Sequence, residues 1–176
     1  MSIVLEGATA LLRSNGVGHH WEGMHLPNLT ESLGKAMQAQ ADDLPPNLKL
    51  FMIVGTYMQE RYHGRMYAKA QNLRPWLRAG YDEAFQEYDL LAMPTVPVKA
   101  FRHEPDIDVL GMVAHSLNMN GNTAAFNHSG HPAISVPCGK SGGLPVGLML
   151  VGRHFEDATV LRAAHAFEQH VDWESL

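Results

Sequence analysis

Only one residue in 176 is a cysteine, Cys138. That excludes an internal disulfide framework and a sulfur-ligated metal centre, and it fits a reducing cytoplasm. No stretch approaches the roughly 20 apolar residues of a membrane-spanning helix. Nor does the N-terminus pair a basic flank with a long apolar run, so no secretory leader is expected. Charge is sparse and not basic: 13 Lys and Arg stand against 18 Asp and Glu, a formal net charge of −5. This argues against nucleic acid or an acidic membrane surface as a partner. The zinc-protease pair His-Glu-x-x-His and any internal repeat are absent. With 45% apolar residues, the chain is long enough to bury the core of one soluble domain.

The most informative stretch runs from Asn122 to Gly152. Two apolar runs, Ala133–Val136 and Val146–Val151, flank the glycine-rich segment Gly139-Lys140-Ser141-Gly142-Gly143. Short apolar runs bounded by Gly and Pro read as buried strands, and the segment between them as a turn. A helix of about four turns extends from Asp157, with Val160, Ala164, Phe167 and Val171 on its inner face. Strands feeding a helix predict an α/β fold, a mixed sheet flanked by helices.

Upstream, residues 1–88 read as mainly helical and 89–176 as strands plus the C-terminal helix. Ile3–Arg13 has helical spacing. Thr30 is the expected N-cap of a second helix that Pro45-Pro46 ends. Leu48–Arg74 reads as one long helix with Asn47 as its cap, and Pro75 as a new start or a kink. Leu90–Met93 is a short strand, and Pro94, Pro97 and Pro105 make residues 94–108 an extended loop. Val109–Asn127 has helical spacing interrupted by Gly111 and Gly121.

The motifs with chemical promise mostly have plainer readings. Gly139-Lys140-Ser141 lacks the earlier glycine and the succeeding helix of a phosphate loop. His128-x-x-His131 and the group His19, His20 and His25 lack metal-site spacing, so no metal and no cofactor are expected. Cys138 comes after Pro137 at a strand end with only Lys140 nearby in sequence, and reads as a small, part-buried thiol. Asn122, Thr123 and Asn127 carry short polar side chains able to tie loops to strand ends. Trp21, in a glycine-rich loop, either walls an apolar pocket or pins its own loop.

The spaced residues Asn127, Gly130, Pro132, Ala133, Ser135, Pro137, Gly143, Leu144, Pro145 and Gly147 resemble the C-terminal signature of the amidase signature family. Tyr88–Thr95 and Gly152–Asp157 extend the likeness, and Met149 leans towards the amidases that accompany nitrile-degrading enzymes. The resemblance implies the C-terminal part of that family's fold and a hydrolase cleaving carboxylic amides to acid and ammonia. It also implies a small-molecule amide as partner, with Trp21, Asn122, Thr123 and Asn127 as substrate-binding candidates. The family's catalytic serines and lysine match no position here, so no catalytic residue is assigned. The chain is then expected to be inactive alone and to self-associate. The alternative is a stand-alone, non-catalytic binding module.

Overall fold

The computed structural model describes residues 2–17 and 23–176, in two units, Met1–Asn72 and Leu73–Leu176. The first holds α1 (Ser2–Arg13), α2 (Pro27–Ala39), a 3-10 turn at Ala41–Asp43 and α3 (Pro46–Tyr62). α1 packs on α3 where Gly55 is buried. A Cβ on Gly55 would overlap the Thr9 hydroxyl and the Leu5 carbonyl, so the two helices meet nearly backbone to backbone. The Gln59 side chain ties them by donating to the Glu6 carbonyl (3.0 Å).

Three helix boundaries differ from the sequence reading. α2 begins at Pro27, not at Thr30, with Leu26 as the capping position. Proline's fixed φ and missing N–H suit the first helical turn. Likewise Pro45 caps α3, while the Asn47 side chain only accepts from the neighbouring Leu48 N–H. The expected long helix is divided: His63 (φ 52°) and Gly64 (φ 75°) are left-handed and end α3 before α4 (Arg65–Ala84). Pro75, in contrast, lies inside α4 without ending it.

The second unit receives the end of α4 and adds β1 (Leu90–Pro94), α5 (Val109–Met119), α6 (Thr123–Ser129), β2 (Ala133–Ser141), β3 (Leu144–Gly152) and α7 (Asp157–His170). The single helical run expected over 109–127 is thus two helices. Asp108 caps α5 by accepting from the Gly111 N–H (2.7 Å). The α/β class holds, and the three strands form an antiparallel sheet in the order β1-β3-β2. Leu91 faces Val151 across β1 and β3, and Ala133 faces Val151 from β2.

β3 shows why the sheet needs a helix on each side. Successive side chains on a strand point to opposite faces. Met149 and Val151 join Phe85 and Phe126 of α6, with Tyr81 of α4, Leu91 and Met93 packed around them. Leu150 joins Val136 and Ala164 on the other face, with Leu148, Ile134 and Phe167. α7 supplies that second layer through Val160, Ala164 and Phe167, as its spacing predicts.

Both hairpin strands run further than their apolar cores, leaving Gly142 and Gly143 alone as the turn. Their φ angles are 62° and 78°, the pair of positive values that a two-residue hairpin of matching twist requires. A bulge between Pro137 and Gly139 sets Cys138 out of register. The Cys138 thiol donates to the Val146 carbonyl (3.4 Å) and is half-buried. Nothing lies within 4 Å of where a Cβ on Gly143 would sit, so a substitution there probes backbone conformation alone. Gly143→Val is expected to cost about 1–3 kcal/mol, read as a lower urea midpoint beside the parent. Equal midpoints would show that the turn imposes no constraint.

Candidate functional site

Polar side chains collect where β1 ends. Thr95, the residue after β1, continues the pairing by donating its N–H to the Gly147 carbonyl (2.8 Å). Its hydroxyl reaches over β3 to Ser135 Oγ on β2, 2.5 Å away. The two hydroxyls meet above Gly147: a Cβ there would lie 2.7 Å from Thr95 Oγ1 and 2.8 Å from Ser135 Oγ. Any side chain at 147 would push the pair apart, which gives the last glycine of Gly-Leu-Pro-x-Gly a physical reason.

Beside this pair is a concave pocket of about 310 Å³, lined by Thr95, Thr123, Phe126, Asn127, Ser135 and Met149 among others. Phe126 and Met149 form an apolar wall, and the hydroxyls and amide form a polar one. Two sequence candidates, Thr123 and Asn127, therefore come together here, one helical turn apart on α6. Asn122 stands at the N-cap of α6. Its side chain donates to the Pro94 carbonyl (2.6 Å), tying the start of α6 to the end of β1. Trp21 lies outside the described residues. Thr95 and Ser135 were not among the candidates; the signal for them was the Pro-Thr pair at a strand end and the Ser of the Ala-x-Ser run.

A second polar group lies behind the pocket. α6 ends at Ser129, and Gly130 (φ 84°) turns the chain into the left-handed region. Arginines from α4 satisfy the last carbonyls of α6, Arg74 Nε donating to His128 O (2.8 Å) and Arg78 Nε to Ser129 O (2.9 Å). The His131 ring then lies between two partners, Ser129 Oγ 2.9 Å from Nδ1 and Asp82 Oδ1 3.1 Å from Nε2. A proton on Nε2 points at the carboxylate, and Nδ1 accepts from the hydroxyl. Burial lowers the pKa of His131, outweighing the Asp82 hydrogen bond that favours the cation. Burial, then the charge of Arg74, lowers that of His128.

Serine, histidine and aspartate in one hydrogen-bonded row have the composition of a nucleophilic triad. Ser129 is wholly buried, at 0% exposure. No substrate carbonyl reaches its oxygen, so the row is an internal brace between α4 and α6.

The sequence model of the Amidase family matches residues 1–161. An uncharacterized protein in the nthA 5' region of Rhodococcus erythropolis is 42% identical over 164 residues, covering 93% of this chain and 82% of that protein. A glutamyl-tRNA(Gln) amidotransferase subunit of Moorella thermoacetica is 39% identical over 170 residues, 96% of this chain but 33% of the subunit. Among solved structures, the corresponding amidotransferase subunit from Thermotoga maritima superposes with a TM-score of 0.57 at 25% identity, over 98% of this chain and 34% of that one. A bacterial aryl acylamidase of the amidase signature enzymes superposes with a TM-score of 0.62 at 24% identity, over 98% and 32%. The chain thus spans most of one relative and about a third of the others.

Ser129→Ala leaves His131 without one of two partners in a dry site. It is expected to destabilise by about 1–3 kcal/mol in urea unfolding, and Ser129 is expected to resist a serine-directed fluorophosphonate. Labelling of Ser129 in the folded chain would reinstate it as a nucleophile.

Proposed function

The chain belongs to the amidase signature family, and on that premise we propose that it supplies the C-terminal part of an enzyme hydrolysing small carboxylic amides to acid and ammonia. The observation that carries this reading is the pocket beside β3. Its apolar wall suits the acyl part of a small amide. The Thr95, Thr123, Asn127 and Ser135 side chains offer both donors and acceptors to a group that has an N–H and a C=O. Thr123 and Asn127 are the substrate-binding residues in this proposal, and Asn122 positions them. Met149 in the apolar wall supports an amide of the kind formed during nitrile degradation.

The chemistry the family resemblance implies is acyl transfer, in which a serine attacks the amide carbonyl, a second serine relays the proton and a lysine is the final base. Those three residues match no position among the 176. We therefore propose that this chain binds amides but does not turn them over unaided. A large part of the apolar surface stays exposed, including Trp76 at 78% and Phe155 at 97%. Such surface favours association with a complementary chain or with itself. Among the described residues no helix is long and apolar enough to cross a membrane.

The direct test is methyl NMR of the 176-residue chain with benzamide or butyramide. Shifts confined to Ala133, Ile134 and Met149, reduced in Thr123→Val and Asn127→Ala, are expected, with no ammonia released. Perturbation elsewhere, or none, would remove the pocket from the account. Turnover abolished by Ser135→Ala would overturn the assignment of catalysis to residues outside this chain.

A further inference from the structure

Three elements far apart in sequence bring metal-type donors together. Asp82 comes from α4, His131 from the link between α6 and β2, and His154 from the segment after β3. One donor atom from each lies within 4.8 Å of the other two. Three points so spaced share a centre no more than about 2.8 Å from each, against about 2.0–2.2 Å for zinc bound to imidazole and carboxylate. The remaining contraction is open to Asp82, whose side chain is 50% exposed and able to rotate.

Two independent features favour a cation here. The first is the fixed orientation of His131. Its Nδ1 is committed to Ser129 Oγ while Nε2 faces Asp82, the outer hydrogen bond that ligating histidines characteristically make. On binding, the ring proton moves to Nδ1, where the Ser129 oxygen accepts it. The second is His154 Nε2, which is buried and has no hydrogen-bond partner. A buried polar atom left so is costly, and a cation would supply the partner. The neighbouring Arg78 charge opposes a cation, but its guanidinium is held on the Ser129 carbonyl, and the Asp82 carboxylate offsets it.

We propose that Asp82, His131 and His154 form a three-ligand site for a divalent first-row transition ion such as zinc, fastening α4 to the start of β2 and the exit of β3. Lone-motif reasoning missed it because His128-x-x-His131 is split by the fold. The His128 carbonyl turns to α4, and the partners of His131 lie 49 residues before it and 23 after it.

The test uses the untagged 176-residue chain, stripped with a chelator and titrated with Co²⁺ and then Zn²⁺. One Co²⁺ per chain with visible ligand-field absorption is expected, and Zn²⁺ should raise the melting temperature. Asp82→Asn and His154→Ala should each weaken Co²⁺ binding by about tenfold or more, while the exposed pair His103→Ala and His165→Ala leaves it unchanged. His131→Ala removes a core side chain, so circular dichroism accompanies it, and the two other variants decide. Absence of both the absorption and the melting shift overturns the proposal. So does binding as tight in Asp82→Asn and His154→Ala as in the parent, which would place the ion on surface histidines.

Discussion

The second unit depends on one strand being paired along both edges. β3 hydrogen-bonds to β1 on one side and to β2 on the other, so its backbone groups are satisfied within the sheet and its side chains are free to bury apolar area on both faces. Val151, at 0% exposure, and Met149 and Leu150 beside it each contribute on the order of 1.5–3 kcal/mol through burial. β1 pairs only with Leu148–Gly152, so the prolines of the hairpin, Pro137 and Pro145, lie where a ladder is one-sided or has ended. β2 is bonded on one side only among the described strands, which is why Pro137, with no N–H to donate, is accommodated within it. The same one-sidedness lets Cys138 bulge out without breaking a second ladder.

Both proposed sites depend on that arrangement. The amide pocket lies on the Met149 face, at the level where Gly147 clears space for the Thr95 and Ser135 hydroxyls. The donor cluster lies at the opposite end of β3, where the chain leaves the sheet towards His154. His131 stands between them, lining the pocket and holding Ser129 and Asp82. One imidazole thus connects the pocket wall to α4, and the arginines of α4 hold the C-terminal end of α6, the helix on which Thr123 and Asn127 stand.

Much of this was legible in the residues. The apolar run Val146–Val151, the glycine pair and the spacing of Val160, Ala164 and Phe167 each state a local preference that the tertiary structure obeys. Where the structure departs from expectation, a local signal was ambiguous. Gly139 and Pro137 look like turn residues, yet pairing with β3 outweighs their weak strand preference. His63 gives no sequence warning of a left-handed conformation, so the division between α3 and α4 was invisible until its place beside Gly64 in the folded chain is seen. Pro75 shows the reverse, a breaker that α4 carries. Of the site, Thr123 and Asn127 share one helix and were readable together. The set Asp82, Ser129, His131 and His154 was not, because its members meet only once the sheet and α4 are assembled.

If β3 fixes both regions, it must be the last part of the second unit to open. Native-state hydrogen exchange measures this residue by residue. The amides of residues 148–151 should exchange only through global unfolding, with the highest protection in the chain and a free energy of opening equal to that from urea unfolding. Exchange there as fast as in β1 or α6, or by an opening cheaper than global unfolding, would contradict the central place given to this strand.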